Sequence, residues 1–98
     1  MSLPVVVRYL AKAEIQSAYR WYEREREGLG EELLQAVDRV LGVIAEYPEG
    51  FSVVHRDIRR AILKRFPYSI LYRVKANHVI VVGCFHAKRD PKSWQARR

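Results

Sequence analysis

His86, Lys88 and Arg89 bring proton transfer and anion binding within four positions of one another. An imidazole can give or take a proton near neutral pH, and a guanidinium grips phosphate or carboxylate through two parallel hydrogen bonds. Cleavage of an RNA strand needs a base for the 2′-hydroxyl, cations for the charge that develops on phosphorus, and an acid for the leaving oxygen. His86 suits either proton-transfer role, with Lys88 and Arg89 as phosphate clamps and Lys64 or Arg65 brought near from an adjoining strand. A contact surface for a protein or nucleic acid needs the same cations and no proton transfer, and a lone histidine at a strand end is more often structural than catalytic.

Other reactive residues have simpler readings. His55 and His78 show no metal-ligand spacing with His86 or Cys84, so neither a metal nor a cofactor is expected. Cys84 sits inside an apolar run and reads as a small core residue. As the only cysteine it excludes an internal disulfide, which fits a reducing, cytoplasmic setting. The start of the chain shows no basic segment followed by an apolar stretch, and no run is long enough to cross a bilayer, so neither a leader nor a membrane partner is expected.

The charge is segregated. Residues 1–54 carry six Lys/Arg against nine acids, a net of −3, whereas residues 55–98 carry twelve against two, a net of +10. The second half is therefore suited to phosphate or to an acidic polypeptide. Arg59, Arg60, Lys64, Arg65, Lys88 and Arg89 are the candidate contacts for such a partner. Trp94, isolated in a basic tail, either joins that surface or, as the preferred reading, anchors the tail to the fold.

Positioning these residues requires a sheet. With 98 residues and 49% hydrophobic content, one small domain spanning 1–98 is expected. Pro4 to Tyr9 is short and valine-rich and reads as a strand that could pair at either edge of the sheet. Ala11, Ile15, Ala18 and Tyr22 share one helical face, which leaves Glu14, Arg20, Glu23, Arg24 and Glu27 mostly toward water. Tyr19, Trp21 and Tyr22 read as core or helix-packing aromatics. Gly28 and Gly30 supply a stop and a turn rather than a phosphate loop. A second helix follows with Glu31 and Glu32 in its first turn and an apolar stripe through Leu33, Val37, Val40 and Ile44, ended by Pro48 and Gly50. The hydrophobic period then changes to two over Ile58 to Arg65 and Tyr68 to Val74, with a turn at 75–78. Val79 to Phe85 is apolar on both faces, as in a strand inside a sheet. The expected class is α+β in β-α-α-β-β-β order, with a helical hairpin packed on one face of a mainly antiparallel sheet.

Several local strings occur in a telling order: Ala18-Tyr-Arg-Trp-Tyr22, Gly28-Leu-Gly30, Tyr47-Pro48, Arg60-Ala-Ile-Leu-Lys-Arg-Phe-Pro-Tyr68, Ile70-Leu-Tyr72 and His86-Ala-Lys-Arg-Asp-Pro-Lys-Ser-Trp94. Together they resemble the RelE/ParE superfamily of toxins from type II toxin–antitoxin systems, over Val5 to Trp94. The resemblance implies a growth inhibitor neutralised by a cognate antitoxin, which wraps it with an otherwise disordered segment. Some members of the superfamily cleave messenger RNA in the ribosome and others act on DNA gyrase. Where the ribosome-dependent nucleases commonly carry an arginine after the third-strand tyrosine, this chain has Ser69. Trp94 stands where they have a tyrosine, while Arg89 matches their post-strand arginine. The ParE-like branch is therefore favoured. Three readings follow: a toxin that inhibits by binding, with gyrase as target; a ribosome-dependent mRNA endonuclease using His86 and Arg89; and a non-toxic basic nucleic-acid-binding module.

Overall fold

A computed structural model describes residues 2–97; Met1, and Arg98 at the end of the basic tail, lie outside the described residues. Strand β1 (Val5–Val7) leads into helix α1 (Tyr9–Glu25) and helix α2 (Leu29–Glu46). Strands β2 (Val53–His55), β3 (Ile58–Ile62), β4 (Tyr68–Val74) and β5 (Val79–His86) follow, then a single helical turn, α3 (Lys92–Gln95). The five strands form one sheet in the order β1-β5-β4-β3-β2. All neighbours are antiparallel except β1, which runs parallel to β5 with Val5, Val6 and Val7 opposite Val79, Ile80 and Val81.

The α+β class, the helical hairpin and the mainly antiparallel sheet agree with the periodicity. Ala11, Ile15, Ala18 and Tyr22 of α1, and Leu33, Val37, Val40 and Ile44 of α2, all join the principal core. They meet Ala61 and Leu63, then Ile70 and Tyr72 of β4 and Val79, Val81 and Cys84 of β5. The opposite face of β5 is also covered, which explains its lack of alternation. Val82 and Phe85 pack there with Ile58, Leu71 and Trp94. Trp94 is 7% exposed, so the tail is anchored to the sheet by the indole. Tyr72 is fully buried, and its hydroxyl donates to the Pro48 carbonyl at 2.7 Å, which ties β4 to the chain leaving α2.

Some elements differ from the sequence expectation. The strand count rises by one, because β2 is only three residues long and meets β3 through a bulge, too short for an alternation to register. Strand β3 ends at Ile62 instead of continuing to Arg65, where φ is +70° and the chain turns left-handed. Helix α1 begins at Tyr9, two residues before the periodic apolar face. Helix α2 begins at Leu29, so only Gly28 (φ +87°) forms the turn and Gly30 lies inside the helix. No helix of the described residues is long and apolar enough to cross a membrane.

Candidate functional site

Strand β1 covers β5 only as far as Val81, so the outer edge of β5 beyond that point needs other partners. Side chains supply them. The Cys84 N–H donates to Glu14 Oε1 at 3.1 Å, and Arg97 Nη1 donates to the Val82 carbonyl at 2.9 Å. Arg97 also forks onto the Glu14 carboxylate, with two donor distances of 2.9 Å. Helix, strand edge and C-terminal tail thus meet at one carboxylate, whose side chain is 16% exposed. The helical spacing placed Glu14 on the water-facing side of α1. Its partners lie 70 and 83 residues away, where local periodicity carries no information. Glu23 departs in the same way: its carboxylate accepts the N–H groups of Gly28 and Gly30, both at 3.0 Å, and so caps the start of α2.

Beside Glu14 opens a cavity of about 350 Å³ between α1 and the ends of β4 and β5. Trp21, Tyr22, Tyr68, His86 and Arg89 line it together with Glu14. Trp21 was expected to be packed inside; it is 49% exposed and meets Tyr22 edge-on at 4.9 Å. His86 stands edge-on to Tyr68 at 5.2 Å, directly across the strand pair. Its Nδ1 lies 3.0 Å from the Lys88 N–H and accepts from it, so the neutral ring carries its proton on Nε2. The Arg89 N–H donates to the His86 carbonyl at 3.0 Å, which closes a turn. Arg89 then lies with its guanidinium 4.5 Å from the Phe85 ring centroid and 3.6 Å from Glu14. Burial raises the phenol pKa values of Tyr22 and Tyr68, so neither is a ready base at neutral pH. Burial, aided by the Glu14 carboxylate, pushes the Cys84 thiol up to about 12. In the folded protein Cys84 will resist a disulfide reagent at pH 8 while reacting fully in denaturant. Rapid labelling of the native chain would contradict that placement.

The candidate residues do not form one surface. A shallow groove brings Arg60 together with His86, Arg89 and Trp94. Lys88 is exposed in the adjoining turn. Arg59 is engaged internally: its Nη1 donates to the carbonyls of Glu49 and Phe51. Arg65 pairs with Glu32 on α2 at 2.8 Å, and Lys64 lines a separate apolar groove with Val40 and Val43. Neither lines the His86 cavity, so the cations that RNA cleavage would have drawn from that strand are directed elsewhere.

The family model for the ParE toxin of the type II toxin–antitoxin system, parDE, matches residues 5–91. A solved structure described as the chromosomal ParDE TA system from P. aeruginosa aligns with a TM-score of 0.65 at 19% identity, covering 87% of this chain and 96% of that one. At that identity the likeness concerns the fold. No curated protein matches the sequence.

Proposed function

Because the chain belongs to the ParE toxin family of type II toxin–antitoxin systems, we propose that it arrests growth by binding its target, DNA gyrase, and is neutralised by a cognate antitoxin. The observation that carries the binding mode is the double engagement of Glu14. That carboxylate lies against both Arg89 and Arg97, so Arg89, the cation that lines the His86 cavity, already has a negative partner in the free protein. A nuclease site needs its cations available to the charge that develops on phosphorus. His86 Nδ1 is likewise occupied by a backbone N–H, which leaves one ring nitrogen for any proton relay. An exposed Trp21 beside Arg89 instead suits recognition, since tryptophan and arginine are the residue types that dominate binding energy at protein interfaces. The basic second half of the chain supports an acidic antitoxin segment as the neutralising partner.

The purified chain should inhibit supercoiling by gyrase, and its induction should stop DNA synthesis before protein synthesis. Message cleavage with unimpaired DNA synthesis would sink this reading and favour the endonuclease. Substitutions at the site add a second check. Arg89→Ala should relieve growth inhibition while changing stability by no more than about 1 kcal/mol, since its own side chain is half exposed. His86→Ala separates the mechanisms: an endonuclease would lose roughly a hundredfold or more in rate, whereas a binding inhibitor loses only contact energy. If both variants folded and stayed as toxic as the parent, Arg60 of β3, with the exposed Lys64 and Arg65 beyond its end, would replace them as the contact.

A further inference from the structure

A second concave site lies where the tail after α3 meets the β2–β3 turn and the end of β4. Arg56, Arg73 and Arg97 line it with Gln95, around a cavity of about 400 Å³ that shares no residue with the one beside His86. The three arginines come from different elements, so no local run of charge accounts for the cluster. Arg56 occupies the turn between β2 and β3 in a left-handed conformation, φ +53°, which L side chains rarely adopt. The indole of Trp94 meets His55 edge-on at 6.2 Å and holds the tail against that turn.

Arg73 is the informative member. Its side chain is 13% exposed, and Nε is buried without a hydrogen bond, although Asp57 Oδ1 lies 2.9 Å away in an unsuitable direction. A buried donor whose ion-pair partner is misaligned is poorly satisfied, and a better-placed acceptor from a ligand would complete it. Asp57 is 59% exposed and sits at the rim, so it can swing away from an incoming anion. Arg97 is already held by Glu14 and the Val82 carbonyl, which fixes one wall of the site.

We infer that this cleft binds phosphate groups, with Arg56 and Arg73 as the gripping residues, Arg97, held by Glu14, as a fixed wall, and Asp57 as a competing carboxylate that the phosphate displaces. Planar guanidinium forks match phosphate geometry. Three arginines, an amide and the single methyl of Ala96 offer little apolar surface on which a peptide could anchor a side chain. The cavity has room for more than one phosphate, whether from a nucleic-acid strand or a free polyphosphate.

Binding of dodecathymidylate and of inorganic pyrophosphate to the full chain at low salt tests the assignment. Arg56→Gly removes the guanidinium yet suits the left-handed turn, so it leaves the fold intact. It should weaken binding by about tenfold or more, and Asp57→Asn should tighten it by about threefold or more. Arg20→Ala, on the exposed face of α1, should leave affinity unchanged. Response of both probes, of the oligonucleotide alone or of pyrophosphate alone upholds the site, and the last two outcomes tell a strand from a free phosphate. Equal weakening by Arg20→Ala and Arg56→Gly would overturn it in favour of diffuse charge. So would binding of a polyglutamate peptide with this variant pattern while both phosphate probes are indifferent.

Discussion

Glu14→Ala should destabilise the protein by about 3 kcal/mol, within the range for removing one partner of a largely buried ion pair. The substitution leaves the Arg97 guanidinium, 18% exposed, without its carboxylate, and leaves the Cys84 N–H without an acceptor at the open edge of β5. For a chain of this length, 3 kcal/mol corresponds to a fall in Tm of roughly 12–24 °C. Glu14→Gln keeps an oxygen for Cys84 but loses the charge, so it should fall between the parent and the alanine variant. Removing Arg97 as well should recover part of the loss, because the uncompensated charge goes with it. Thermal melts of the parent, Glu14→Ala, Arg97→Ala and the double variant close the cycle. A loss under about 1 kcal/mol for Glu14→Ala would mean that the bond network is an exposed pair of the ordinary weak kind.

The two glycines inside α2 should respond to alanine with opposite signs. A Cβ at Gly30 would stand 2.7 and 2.8 Å from ring carbons of Tyr19, and 2.8 Å from the Tyr19 carbonyl oxygen. The ring can turn aside, but the carbonyl belongs to the hydrogen-bonded backbone of α1, so the two helices would have to separate. Such overpacking costs about 3 kcal/mol. A Cβ at Gly42 meets nothing within 4 Å. There alanine only restricts the unfolded chain and improves helix propensity, so Gly42→Ala should stabilise by about 0.5–1 kcal/mol. Chemical denaturation of both variants checks the pair. If Gly30→Ala were as stable as the parent, the close approach of α1 and α2 at the hairpin would be wrong.

The helical faces and the inward residues of β3 were legible in the sequence because a repeating apolar pattern reports burial directly. The same rule misplaced Glu14 and Glu23: a carboxylate on the polar side of a helix looks solvated until its partner arrives from elsewhere in the chain. The position of β1 was open because three valines fit either edge, and only the three-dimensional path of the helical hairpin returns them parallel to β5. At the candidate site, His86 and Arg89 could be found from their place after a buried strand. Trp21 could not, since an aromatic at helical spacing reads as core, and its exposure depends on the cavity left between α1 and the end of the sheet. Arg56 and Arg73 passed unnoticed because neither stands near another arginine of their cleft in sequence.

The contrast between the two tryptophans gives the protein two optical reporters. Trp21 is half open to solvent beside the His86 cavity, so its emission should lie toward the red and be quenched readily by acrylamide. Trp94 is enclosed against Phe85 and Leu71 on the far face of the sheet, where emission is bluer and shielded from the quencher. A partner that fills the cavity will protect the first indole and leave the second unchanged. One that peels the tail from the sheet will shift the second. Single-tryptophan variants would thus tell, from a fluorescence titration alone, which side of the molecule a binding partner has touched.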